Sequence, residues 1–333
     1  MRNSTDSTMT KTTIKNRLKT LMRVGLSMVA LAISMVFVSV GAADAAATVT
    51  MNANGDIIIN GDNSDETVTI QPGGNDDLYV LVDSSNGSAV YIFEDTYRDI
   101  NLTMRGGNDV VVFIGGDDMS FRRGTINLGG GDNHVNLSSV DFTDNFRVID
   151  GTGSSDVTLD AMNVDGTTNM IFGSGSDSLS VLNGDWKGST LVSASNAGSI
   201  SADIRDLRSY SGFEIRGGNN ADQVSFRGNT DFFGTMTLNL NGGNDSFTTQ
   251  SGSDFFGNTN LRMGSGHDRV NLFGNKFVKA LTFQGEGGND LFNTTASLYS
   301  GTVNLNGGTG TDQLSGEANT FYHSPTINGF EVS

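Results

Sequence analysis

One phrase recurs along this chain at nearly one interval: an alternating apolar stretch, turn glycines, a carboxylate, and a second alternating stretch. LNLNGGNDSFTT (238–249), LRMGSGHDRVNL (261–272) and FQGEGGNDLFNT (283–294) are three of its copies. A slot residue stands two positions before the first apolar residue after each turn. It is Asp109, Asn133, Ser155, Asp177, Asp222, Asp245, Asp268, Asp290 and Asp312, at intervals of 24, 22, 22, 45, 23, 23, 22 and 22 residues. The 45 is two periods, with a worn copy in SNAGSIS (195–201). Self-similarity at such a period means a stacked solenoid, because one unit cannot bury its apolar side alone.

The residues around the slot define the strands. Two and four positions after it come Val111/Phe113, Val135/Leu137, Val157/Leu159, Leu179/Val181, Val224/Phe226 and Val270/Leu272. Before the turn come Leu102/Met104, Ile126/Leu128, Met170/Phe172, Leu238/Leu240, Leu261/Met263 and Val303/Leu305. Period-two alternation predicts strands with one side inward. A third, mostly aromatic register reads Phe142, Trp186, Phe232, Phe255, Phe277, Leu298 and Phe321. Three short strands per unit describe a coil whose copies pair in parallel about 4.8 Å apart. The 44 glycines serve the corners, and only 2 prolines interrupt the backbone donors that a ladder needs. The expected fold is all-β: a right-handed parallel β-helix of about ten coils of about 22 residues. Residues 101–333 form the β-helix.

Residues 48–100 break the period. DIIIN (56–60), ETVTIQ (66–71), DLYVLV (77–82) and AVYIF (89–93) are strand-like and separated by hairpin turns, Gly74-Asn75-Asp76 among them. They predict an antiparallel β-meander that caps the open end of the solenoid. Ahead of it, residues 1–47 have the parts of an export signal. Six basic residues precede an apolar run from Val24 to Val40, and GAADAAA supplies a small-residue cleavage site. A secreted or cell-surface protein is expected, with no membrane span after signal removal.

Without residues 1–47 the chain carries 14 Lys+Arg against 35 Asp+Glu, a formal −21. Such a surface repels nucleic acid and attracts cations. The absence of cysteine leaves the repeat itself to hold an exported fold together.

Stacking brings Asp222, Asp245, Asp268, Asp290 and Asp312 to one corner of five consecutive coils, where like charges repel. Two readings offset that repulsion. In one, calcium sits between carboxylates and turn carbonyls. In the other, each aspartate accepts N–H groups at the turn, and Arg105, Arg216, Arg262 and Arg269 neutralise the stack. GGTGTDQLS (307–315) matches the haemolysin-type (RTX) nonapeptide G-G-x-G-x-D-x-U-x in full. Phe172–Ser180 and Met263–Asn271 lack only its first glycine. The chain thus resembles exported bacterial parallel β-helix proteins with degenerate haemolysin-type repeats. That resemblance implies calcium at the corner aspartates. Here, however, one glycine corner occurs per 22 residues rather than in tandem nonapeptides, and Asn133 and Ser155 replace the acid.

Catalytic signals are few. His134, His267 and His323 are scattered, and no G-x-S-x-G elbow or G-x-G-x-x-G loop occurs. SADIRDLRS (201–209) gathers Asp203, Arg205, Asp206 and Arg208, the mix a polysaccharide lyase or glycoside hydrolase uses. Its plainer reading is a solvated loop or strand face. Trp186 belongs to the inward register. The expectation is a non-catalytic exported protein for adhesion or matrix structure, calcium-stabilised, meeting an extracellular glycan or cell-surface component. The alternative is a glycan-degrading β-helix enzyme.

Overall fold

The protein is described by a computed structural model that covers residues 36–38 and 47–331, apart from 74–76, 86, 95–96, 117–118 and 195–197. Most of the segment expected to be an export signal lies outside the described residues, as do Gly74-Asn75-Asp76 and the start of SNAGSIS. Within it, Val36–Val38 forms a strand that pairs antiparallel with Gly87–Phe93.

The architecture is an all-β parallel solenoid of about ten turns, each of about 22 residues. The strands before the glycine corners form one sheet of 13, and those after the corners belong to a sheet of 22. Register is coil on coil: Leu238 pairs with Leu261 and Leu261 with Phe283. On the other side, Val224, Phe247, Val270 and Phe292 form an equivalent row. The predicted inward residues before and after each corner are all buried.

The third register joins the larger sheet instead of making its own. Ser176–Trp186 and Ser199–Ser209 each run through the bend as one 11-residue strand and fuse the two faces. The inward row is Phe121, Phe142, Val164, Trp186, Ser209, Phe232, Phe255, Phe277, Tyr299 and Phe321. Tyr299 therefore takes the place expected for Leu298, which pairs with Lys276 on the outward row. The two neighbours are both apolar, and a two-residue strand turns only one of them inward. Tyr299 stacks on Phe277 at 5.0 Å and 5°, and its hydroxyl bonds Thr294 Oγ1. Phe232, Phe255 and Phe277 continue the stack at 5.3 and 4.7 Å.

The N-terminal region is partly coil and partly meander. Glu66–Pro72, Leu78–Ser84 and Gly87–Phe93 are antiparallel, as expected. Ile57–Asn60 and Glu66–Pro72 also pair in parallel with the next coil, through Ile57 to Ile100 and Thr67 to Val110. The solenoid thus begins before residue 100, and the hairpin strands 78–93 are an insertion within its first turn.

Corner glycines are required by contact as well as by torsion. Gly288 has φ +134°, and a Cβ there would stand 1.5 Å from the Gly266 carbonyl oxygen one coil below. No side chain fits such a close approach of backbones.

Candidate functional site: the corner ladders

The slot residues do converge. Each sits at the start of a strand and points into the corner, so that burial follows from the fold. Asp222 and Asp312 are fully buried, and Asp245, Asp268 and Asp290 are 2–3% exposed. Their charges are met by the backbone of the neighbouring coil. The Asp222 N–H donates to Asp245 Oδ1 at 2.8 Å, Asp245 N–H to Asp268 Oδ1 at 2.7 Å, and Asp268 N–H to Asp290 Oδ1 at 2.9 Å. Asp290 N–H donates to Asp312 Oδ1 at 2.8 Å, and Asp312 N–H to Glu331 Oε2. Oδ1 of each carboxylate therefore accepts from the coil before it, and of these five Asp222 alone also accepts from its own turn, through Oδ2.

The same ladder runs through the N-terminal half with different members. Glu66 N–H donates to Asp109 Oδ1 at 3.0 Å, and Asp109 N–H to Asn133 Oδ1 at 2.9 Å. Ser155 N–H donates to Asp177 Oδ1, and Ile200 N–H to Asp222 Oδ1. Ile200 is thus the slot residue of the worn copy, and Glu66 that of the first coil. Glu66 escapes the sequence period because the hairpin insertion puts it 43 residues from Asp109.

Asp150 was not predicted. It is 4% exposed and projects from the strand before the turn, in a row otherwise held by residues such as Leu128 and Phe172. It accepts from Ser155 Oγ at 2.7 Å and lies 3.4 Å from Asn133 Nδ2. The acid has moved off the slot where the slot residues are Asn133 and Ser155. The signal in the sequence is a carboxylate replacing an apolar residue immediately before GTG (151–153).

A second ladder lies one residue earlier, on the outside of the corner, and runs the opposite way. Asp132 N–H donates to Asn108 Oδ1 and Ser154 N–H to Asp132 Oδ1, both at 2.8 Å. In the C-terminal half His267 N–H donates to Asn244 Oδ1, Asn289 N–H to His267 Nδ1, and Thr311 N–H to Asn289 Oδ1, at 2.7–2.9 Å. His267 is one acceptor in this row. His134 lies 3.4 Å from Asp156.

Burial dominates the electrostatics of the inner row. Desolvation pushes the Asp245 carboxyl up to about 7, with the charges of Asp222 and Asp268 adding to it. The same cause lifts Asp177, Asp222 and Asp268 to about 6, and Asp290 upward. The expected arginine neutralisation is not how two of the four arginines are used. Arg216 pairs with Glu214 at 2.7 Å and Arg262 with Glu286 at 3.0 Å.

The second carboxylate oxygens decide what a cation would find. Oδ2 of Asp245, Asp268, Asp290 and Asp312 is buried without a hydrogen-bond partner, whereas Asp222 Oδ2 accepts from Gly218 N–H at 3.0 Å. At Asp290 and Asp312 a glycine cradle faces that oxygen. A Cβ on Gly285 would meet Asp290 Oδ2 at 2.3 Å and the Gly307 carbonyl at 2.2 Å. One on Gly307 would meet Asp312 Oδ2 at 2.7 Å and the Gly329 carbonyl at 2.1 Å. The corresponding residues below Asp245 and Asp268 are Leu240 and Met263, both buried. No group of three or more His, Cys, Asp or Glu side chains suited to a metal occurs among the described residues. Any cation here would rely on backbone carbonyls beside one carboxylate per coil.

SADIRDLRS is the face of a strand rather than an irregular loop. Asp203 accepts from Arg205 and from Ser225 Oγ at 2.8 Å, and forms an ion pair with Arg227 at 3.3 Å. Arg208 pairs with Asp185. Trp186 is buried in the inward row. No family model matches the chain, and no curated protein or solved structure matches it.

Proposed function

We propose that this chain is an exported, non-catalytic rod that serves adhesion or extracellular scaffolding and is stiffened by calcium. The observation that carries the reading is the direction of its polar side chains. Both corner ladders run along the axis and join coil to coil, so they serve continuity of the rod rather than a reaction centre. The cluster around Asp203 supports the same choice, because Asp203 is already shared by two arginines and a serine hydroxyl and Asp206 accepts from the Asn229 N–H of the next coil at 2.9 Å. Glycoside hydrolysis wants two carboxylates facing a sugar. The basic and apolar segments of residues 1–47 support export.

Calcium fits the corner as a hard cation served by oxygen alone. Asp290 and Asp312 would hold it best, each with a free Oδ2 and a neighbouring carbonyl. Asp245 and Asp268 offer the free oxygen beside apolar side chains, and Asp222 has both oxygens engaged. Bound calcium would compensate buried negative charge and take no part in chemistry.

Fractionation with protease shaving of intact cells tests the reading. The protein is expected in the medium or on the surface, without residues 1–47. Retention in the cytosol with an intact N-terminus, or release of sugar products from glycans by the purified chain, would sink it.

A further inference from the structure

A shallow cleft runs along the outer face of the 13-strand sheet, away from both corner ladders. It has two contiguous parts of about 470 and 230 Å³, which share Glu214 and Thr237. The cleft crosses six strands, from Thr168–Ile171 to Leu281–Gly287, and so extends roughly 24 Å along the axis at about 4.8 Å per strand. We propose that this cleft binds a neutral, extended polysaccharide. The inference gives the adhesion reading a ligand class and rests on that reading only for where the glycan is met.

Its floor and walls are rich in hydroxyl and amide groups: Ser189, Thr235, Thr237, Asn239, Asn260 and Gln284. These donate and accept in one plane, as vicinal sugar hydroxyls require. Leu191 adds an apolar surface for the C–H side of a sugar ring. Two residues of the outward rows, Asn169 and Asn239, each have an Oδ1 buried without a protein partner. Unsatisfied polar groups of this kind are uncommon and carry a desolvation cost that ordered water or a ligand hydroxyl removes.

Charge selects against the other polymers. Glu214 is held by Arg216 at 2.7 Å, and Arg262 by Glu286 at 3.0 Å, so the cleft presents internally paired charges. The strongly acidic chain disfavours nucleic acid and anionic glycans. A peptide adding as a strand would need a free edge, and this face lies within a sheet whose strands pair on both sides. Glu214 is the only carboxylate lining the cleft among the described residues. Binding without hydrolysis follows, since the general acid and its partner carboxylate are not both present.

Gly212 offers a clean block. The nearest atom to a Cβ built there is the Thr235 carbonyl oxygen at 4.0 Å, and its φ is not in the left-handed region. A side chain at this position enters the cleft without straining the coil. The test is affinity electrophoresis of the full chain in native gels containing hydroxyethylcellulose, galactomannan or laminarin, with polygalacturonate as the anionic comparator. Retardation is expected in at least one neutral gel and not in polygalacturonate. Gly212→Trp is expected to weaken it at least ~10-fold with an unchanged melting curve. If that variant fails to fold, Thr237→Ala combined with Asn260→Ala serves instead. No retardation in any neutral gel, retardation in polygalacturonate alone, or unaltered binding by the blocked variants would overturn the proposal. A cytosolic chain that still binds would break the adhesion reading and leave the cleft intact; a surface chain that does not bind would do the reverse.

Discussion

The two halves of the rod hold the same backbone with different interiors. From Asp222 to Asp312 every slot is an aspartate, and the aromatic row Phe232, Phe255, Phe277, Tyr299 and Phe321 is unbroken. From Asn133 to Ile200 the slots are Asn133, Ser155, Asp177 and Ile200, the acid sits partly at Asp150, and the aromatic row is interrupted by Val164 and Ser209. Yet both halves keep coil-on-coil register through parallel pairing. At the slot an uncharged acceptor serves the neighbouring N–H as a carboxylate does, and at Ile200 the coil holds with no side-chain acceptor at all. Asn133 supplies one at 2.9 Å as well as Asp290 does. What the charge adds is a response to protons and cations, concentrated in the C-terminal half.

The largest expected difference between the halves lies in the aromatic row. Phe255→Ala opens a cavity between two parallel rings and is expected to cost about 3–5 kcal/mol. Val164→Ala, in the interrupted part, removes fewer atoms and is expected to cost under half of that. Chemical denaturation of the two variants checks this. A Phe255→Ala loss below about 1 kcal/mol would mean that the coils close over the missing ring and that the stack does not hold the C-terminal half together.

Titration comes next. Asp177, Asp222, Asp245, Asp268 and Asp290 have folded-state values raised above the unfolded one, so the folded protein holds more protons between about pH 4 and 7. Stability then falls as pH rises through that window. The cause is burial, which lifts Asp245 to about 7 and Asp268 to about 6. Below the window the sign reverses. Asp99, for example, is held below the usual carboxylate range by its hydrogen bonds from Arg122, and that contribution is lost on acidification. In chelator, the melting temperature is expected to drop by about 5 °C between pH 4.5 and 7.5. Asp245→Asn should remove part of the drop, because asparagine keeps the acceptor and cannot titrate. Calcium at pH 7.5 is expected to restore the loss and to do little at pH 4.5, since protons and cation compete for the same Oδ2. A flat pH profile would show that the carboxyls are not desolvated, and indifference to calcium at pH 7.5 would end the cation proposal.

How far the sequence reveals these features depends on whether a residue repeats at its own register. The period, the alternating inward pairs and the slot itself are legible because the same residue type returns every 22 or 23 positions. Tyr299 is not, since Leu298 beside it is equally apolar, and only the two-residue strand decides which turns inward. Glu66 is hidden by the hairpin insertion, which doubles its distance to the next slot. Burial of the corner carboxylates is also invisible: Gly-Gly-Asn-Asp reads as a solvent-facing turn. It is buried here because each coil's corner is roofed by the next. The cleft leaves no sequence mark, for threonine and asparagine on an outward row look like ordinary surface.

A swap sharpens the comparison further. Asp150→Ala strands the Ser155 hydroxyl in a buried corner and is expected to cost about 1–3 kcal/mol. Adding Ser155→Asp to Asp150→Leu should recover most of this loss. The pair rebuilds in the N-terminal half the arrangement found at Leu240 and Asp245, with an apolar residue five positions before a slot acid. Thermal melting of both variants at pH 5 checks the exchange. A double variant no more stable than the single one would show that the two halves are not interchangeable solutions to one corner.

The smallest expected effect concerns the outer ladder. Its row passes through Ala221, which has no side-chain acceptor, between Ser199 and Asn244. Asn108, Asp132, His267 and Asn289 each supply an acceptor at the equivalent position in other coils. Ala221→Asn should offer its Oδ1 to the Asn244 N–H and add about 0.5–1.5 kcal/mol. Hydrogen exchange of the Asn244 amide reads this directly, and slower exchange confined to that corner is the expected outcome. If exchange there is unchanged, the outer row follows from corner geometry and does not help to set it. At the glycine corner the inner row would then be the side-chain ladder that ties coil to coil.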